Sequence, residues 1–136
     1  MRIVLIFLLL VAAASARAEW LEVGKSSKAA YLILSRNTVF YIDPSSITRE
    51  GNIRRVWEIH DLDDKGSQGE RSVLASVEYD CAQKRMRTLK ATGRSQRMAS
   101  GEIIPLRQVY DDWVFLKAGE ADEIFFKILN LVCVRD

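Results

Sequence analysis

The hydrophobic pattern divides the chain into three regimes. Ile3 to Ala14 is an unbroken apolar run of twelve residues behind a basic start, Met1-Arg2. From Trp20 to Leu116, short apolar segments recur between turn residues. After Gly119 the spacing changes, and Ile124, Phe125, Ile128, Leu129 and Val132 form a stripe at helical spacing.

The first regime predicts a secretory signal over residues 1–18. The run is shorter than the ~20 residues that span a bilayer. Ala16-Arg17-Ala18 has the small-x-small form of a cleavage site, so cleavage is expected between Ala18 and Glu19. Glu19 stands where a lipid-anchored precursor would carry Cys. The mature chain, residues 19–136, is expected to be one exported domain, periplasmic, secreted or surface-associated, without a lipid anchor.

The second regime predicts strands. Trp20–Val23 opens the series, and Gly24-Lys25-Ser26-Ser27 reads as a polar break. Ala29–Leu34 is apolar without a deciding period. Thr38–Ile42 is β-branched and aromatic, and Asp43-Pro44-Ser45-Ser46 stops it. In the strand from Ile53 to Asp61, Ile53, Trp57 and Ile59 share one face, which leaves His60 on the solvent side. Ser72–Asp80 alternates cleanly, with Val73, Ala75, Val77 and Tyr79 on one side. Lys84–Gly93 and Trp113–Leu116 read as strands, and Ile103–Val109, which contains Pro105, as an edge strand. The helical stripe begins among Glu120, Asp122 and Glu123, where the helix dipole favours negative charge. It needs a sheet face to cover. The fold class is therefore α+β, strands followed by one terminal helix.

The charge balance argues against a nucleic-acid partner. The formal charge is +2, but Arg2 and Arg17 leave with the signal, and the mature chain is neutral. Charge is nevertheless segregated. Lys84, Arg85, Arg87, Lys90, Arg94 and Arg97 follow one another with no acid between them. They form a candidate site for an anionic ligand, or a solvated face matched by acids such as Asp111, Asp112 and Glu123. Strict alternation puts Arg85 and Arg87 on one face and Lys84 and Lys90 on the other.

Catalytic patterns are weak. Asp61-x-Asp63-Asp64-x-Gly66 has a calcium-loop glycine, but Lys65 stands where such a loop has an acceptor and Ser72 where it has a bidentate Glu. Gly24-Lys25-Ser26 lacks the upstream glycine of a phosphate-binding loop. No spacing pairs His60 with a nucleophile. No enzyme, metal or cofactor is expected. Cys81 and Cys133 lie 52 positions apart, outside any CxxC pair. In an oxidising compartment two such thiols ordinarily join, contributing roughly 4 kcal/mol in a chain-entropy account. The alternative, a catalytic thiol, would depend on His60.

Several elements together resemble one family. They are Trp20, Phe40-Tyr41-Ile42-Asp43, Ser45-Ser46-Ile47, Gly51-Asn52, and Arg54-Arg55-Val56-Trp57. Further along come Ser76-Val77-Glu78-Tyr79-Asp80-Cys81 with Arg85 and Arg87, then Met98, Gly101-Glu102, Trp113 and Val132-Cys133. The chain is similar to the surface-adhesin protein E family of Gram-negative bacteria. The resemblance implies a single antiparallel sheet of about six strands packed against a C-terminal helix, and a Cys81–Cys133 disulfide. It also implies a non-enzymatic binding protein whose partners are host matrix or plasma proteins such as vitronectin, laminin and plasminogen. A periplasmic housekeeping protein, or an inhibitor of an envelope enzyme acting through a loop, is the competing expectation.

Overall fold

The computed structural model describes residues 19–26, 37–107, 109, 111–118 and 123–134. The expected signal segment and the Ala29–Leu34 stretch lie outside the described residues.

Among the described residues, eight strands form one antiparallel sheet. They are β1 (Leu21–Ser26), β2 (Thr38–Ile42), β3 (Thr48–Glu50), β4 (Ile53–Leu62), β5 (Ser72–Asp80), β6 (Arg85–Arg94), β7 (Ile103–Ile104) and β8 (Val114–Phe115). The main path runs β1-β2-β4-β5-β6-β7, with β3 beside β4 and β8 beside β6. An α-helix follows, α1 (Glu123–Val134). The fold is thus α+β as the strand and helix periods imply. β1 continues through the expected break at Gly24, and the Pro105 segment holds only two strand residues.

The helix covers one sheet face. Ile124, Phe125, Ile128, Leu129 and Val132 are buried against Phe40 and Ile42 of β2, Val56 and Leu62 of β4, and Val73, Ala75, Val77 and Tyr79 of β5. Each fully buried aliphatic or aromatic side chain contributes about 1.5–3 kcal/mol before entropy is counted. Gly93 lets β7 close on β6, because a Cβ there would meet the Ile104 carbonyl oxygen at 2.7 Å. Cys81, just past β5, and Cys133, in the last turn of α1, are joined by a disulfide. The bond fastens the end of the helix to the end of the central strand.

β4 corrects the expected facing. Its core side carries Val56, Glu58, His60 and Leu62, whereas Trp57 points outward and is 38 % exposed. His60, expected on the solvent side, is fully buried. The cause is that both sides of the distal half of β4 are covered. Residues 58 to 62 are all buried, so alternation in the sequence no longer reports the facing. The polar core residues are tolerated because they bond to one another.

β6 corrects a second parity. Its register against β5 shifts between Thr88, opposite Val77, and Lys90, opposite Ser76, leaving Leu89 as an extra residue. This bulge carries Lys90 to the face that holds Arg85 and Arg87. Without it, Lys90 would stand opposite Ala75 and point into the core.

Candidate functional site

The face away from the helix is built in cross-strand rows. Arg55, Glu78 and Arg87 lie directly opposite one another on β4, β5 and β6. Ile53, Asp80, Arg85 and Phe115 form the neighbouring row, and Trp57, Ser76 and Lys90 the next. Direct antiparallel partners point the same way, so the register alone places these side chains together.

The cations are held by acids between them. Glu78 Oε1 accepts from Arg87 at 2.7 Å, and Oε2 accepts from Arg55 at 3.3 Å. Asp80 Oδ2 accepts from Arg85 at 3.0 Å. The guanidinium carbons of Arg85 and Arg87 then lie 4.4 and 4.5 Å from the Trp113 ring centroid, within cation–π range. Burial alone would raise the Asp80 carboxyl. The Gln83 and Ala82 backbone N–H groups and Arg85 outweigh it and hold Asp80 below the usual carboxylate range.

The six candidate basic residues do not form a bare positive patch. Lys84 sits in the turn before β6, with its ammonium 5.9 Å from the Phe126 ring. Arg85 and Arg87 are paired as described. Arg94 donates to the Gly101 carbonyl at 2.9 Å. Arg97 donates to Asp61 at 3.2 Å. Lys90 is exposed. The acids that match them are Glu78, Asp80 and Asp61, whereas the sequence pointed to Asp111, Asp112 and Glu123.

Exposed apolar side chains border these rows. Phe115 is 59 % and Ile103 63 % exposed, on the two short strands that flank β6. A cleft of about 230 Å³ opens at the other end of the rows, where β3 joins β4, lined by Thr48, Arg49, Glu50, Ile53, Arg55 and Glu78. The outward Trp57 and Phe115 were missed in the sequence because single aromatic residues there read as core. Pairing each strand with its neighbour, residue by residue, is the signal that finds them.

A second polar group lies inside the core. Tyr79 donates its hydroxyl to Glu58, and His60 Nε2 is hydrogen-bonded to the other Glu58 oxygen at 2.8 Å. His60 packs 4.6 Å from the Phe40 ring and 6.1 Å from that of Phe125. Burial, reinforced by the Glu58 charge and hydrogen bond, pushes the Tyr79 phenol well above its usual range. Glu58, His60 and Tyr79 are all fully buried, so they meet no dissolved substrate.

Among the described residues no cluster of three or more His, Cys, Asp or Glu side chains could hold a metal, and no helix is long and apolar enough to cross a membrane. A profile of the surface-adhesin protein E family matches residues 20–134. The chain belongs to this family. Three crystal structures share the fold. The selenomethionine form of Haemophilus influenzae protein E has a TM-score of 0.59 at 12% identity, covering 85% of this chain and 95% of that one. Crystal form II of the same protein gives 0.58 at 13%, covering 85% and 99%. Protein E from non-typeable Haemophilus influenzae gives 0.55 at 14%, covering 86% and 85%. No curated protein matches the chain in a sequence comparison. Membership of the family implies a surface adhesin-like binding protein, and the shared fold extends over nearly the whole of the matched region.

Proposed function

We infer that the chain is an exported, non-enzymatic binding protein whose helix-free sheet face contacts a host matrix or plasma protein. Export would remove residues 1–18, and the oxidised Cys81–Cys133 pair suits that destination. The single observation that carries the reading is the composition of the outer face. Trp57 and Phe115 are exposed beside arginines already held in shape by Glu78, Asp80 and Trp113. Aromatic residues and arginine are enriched at protein interfaces, and preformed side chains lose little entropy on docking. Lys90, Arg94 and Arg97 fringe this face and would steer an acidic partner.

Surface plasmon resonance of residues 19–136 over immobilised vitronectin, laminin and plasminogen, with albumin as control, tests the reading. Binding to at least one, lost on Trp57→Ala with Phe115→Ala, is the expected result. Signals equal to albumin on all three would overturn it.

A further inference from the structure

β1 stands at one end of the main sheet path, and among the described residues its outer edge is paired with no strand. Its inner edge meets β2 with one irregularity. Glu22 lies opposite Tyr41 and Gly24 opposite Phe40, so Val23 is an extra residue. A bulge of this kind changes facing, as Leu89 does in β6. Glu22 and Lys25 differ in parity, yet their partners Tyr41 and Val39 both lie on the helix-free side of β2, because Phe40 and Ile42 fill the core. Glu22 and Lys25 therefore point the same way. Both are exposed, and among the described residues neither side chain has a hydrogen bond or an ion pair.

An unpaired edge offers its main-chain groups to another strand, and a bulge or a lysine commonly discourages that. β1 carries both, but they discriminate between partners. Against a regular strand, as against β2, Val23 is left over. A second copy of β1 carries the same surplus residue, so two copies run antiparallel have matching lengths. With the two-fold axis between Val23 and Gly24, Glu22 faces the partner subunit's Lys25, and Lys25 faces the partner subunit's Glu22. No other antiparallel register makes these pairs. Registers centred on Glu22 or on Lys25 set like charges against each other, which is unfavourable across a ladder.

We propose that β1 pairs antiparallel with β1 of a second copy of this chain, joining two sheets into one. The contact is isologous, the same edge on both copies. Main-chain hydrogen bonds supply its attraction, and the two Glu22–Lys25 ion pairs select its register. Leu21, 36 % exposed at the same edge, gains cover. Direct antiparallel partners point the same way, so both helix-free faces lie on one side of the joined sheet. A ligand with repeated sites then meets two faces at once, and the second engagement is intramolecular. The inference rests on β1 alone and holds whatever the outer face binds.

Sedimentation velocity on residues 19–136, from micromolar to near-millimolar concentration, tests it. Wild type should pass from monomer to dimer as concentration rises. Glu22→Lys and Lys25→Glu each place like charges at both contacts, and either variant alone should dimerise about tenfold more weakly. Both positions are exposed, so each variant should melt with wild type. Mixed in equal amounts, the two variants should form a heterodimer within about threefold of wild-type affinity, because each chain then meets the opposite sign at both contacts. A wild type that stays monomeric throughout would overturn the proposal. So would a dimer that neither single variant weakens.

Discussion

His60 Nε2 lies 2.8 Å from a Glu58 carboxylate oxygen, and neither side chain reaches water. Two polar groups at the centre of a helix–sheet core stabilise it only as a set. Removing Glu58 strands both His60 and the Tyr79 hydroxyl, and removing His60 leaves one Glu58 oxygen without its partner, either of which costs more than the contact contributes. Glu58→Ala or His60→Ala should therefore each cost about 3 kcal/mol. The apolar triple replacement Glu58→Met, His60→Phe, Tyr79→Phe should recover most of that loss. Urea unfolding followed by circular dichroism measures both. A single variant as stable as wild type would contradict the account.

Asp80 gives the fold an acid-side dependence with a definite sign. Its carboxyl is held below the unfolded value by the Gln83 and Ala82 N–H groups and Arg85, against the effect of burial. The resulting stability is fully present above about pH 4, the unfolded value, and is lost as pH falls through the lower folded value. Asp80→Asn should lower stability at pH 7 by about 1–2 kcal/mol and flatten the decline below pH 4. Melting temperatures from pH 2 to 7 for the two proteins would show it.

Tyr79 acts at the opposite end. Its phenol is held protonated by burial and by Glu58, so the folded value lies above the unfolded one. Stability is intact below about pH 10 and falls as pH rises toward the folded value. Absorbance at the phenolate band should show one tyrosine that ionises only with unfolding. Tyr79→Phe should remove that step.

The Cys81–Cys133 bond closes a separation of 52 residues. Its loss through paired serine substitution should cost about 2–4 kcal/mol, read from the urea midpoint. Added reductant should have the same effect on wild type and none on the variant.

Much of this architecture is legible in the sequence. β5 shows its facing through Val73, Ala75, Val77 and Tyr79, because only one of its sides meets the helix. The stripe from Ile124 to Val132 marks α1 for the same reason. β4 is illegible where residues 58 to 62 are buried on both sides, and there Ile59 misreports the core. β6 is illegible at one position, since a bulge changes facing without changing composition. For the outer face, the sequence shows the cations but conceals their partners. Glu78 and Asp80 read as the polar side of β5, and only the register reveals that they lie opposite Arg87 and Arg85.

The extra residue at Leu89 works as a phase shift. Upstream of it, odd-numbered β6 positions look outward; downstream, even-numbered ones do. Deleting that single residue would leave every facing as it is, because Lys90 would follow Thr88 directly in a regular ladder. Flattening the bulge with Leu89 retained would instead turn one half of the strand over relative to the other, driving Lys90 and Arg94 inward and Ala91 and Gly93 to solvent. The distribution of charge on this molecule thus hangs on how one surplus residue is accommodated, and not on which residues the strand contains.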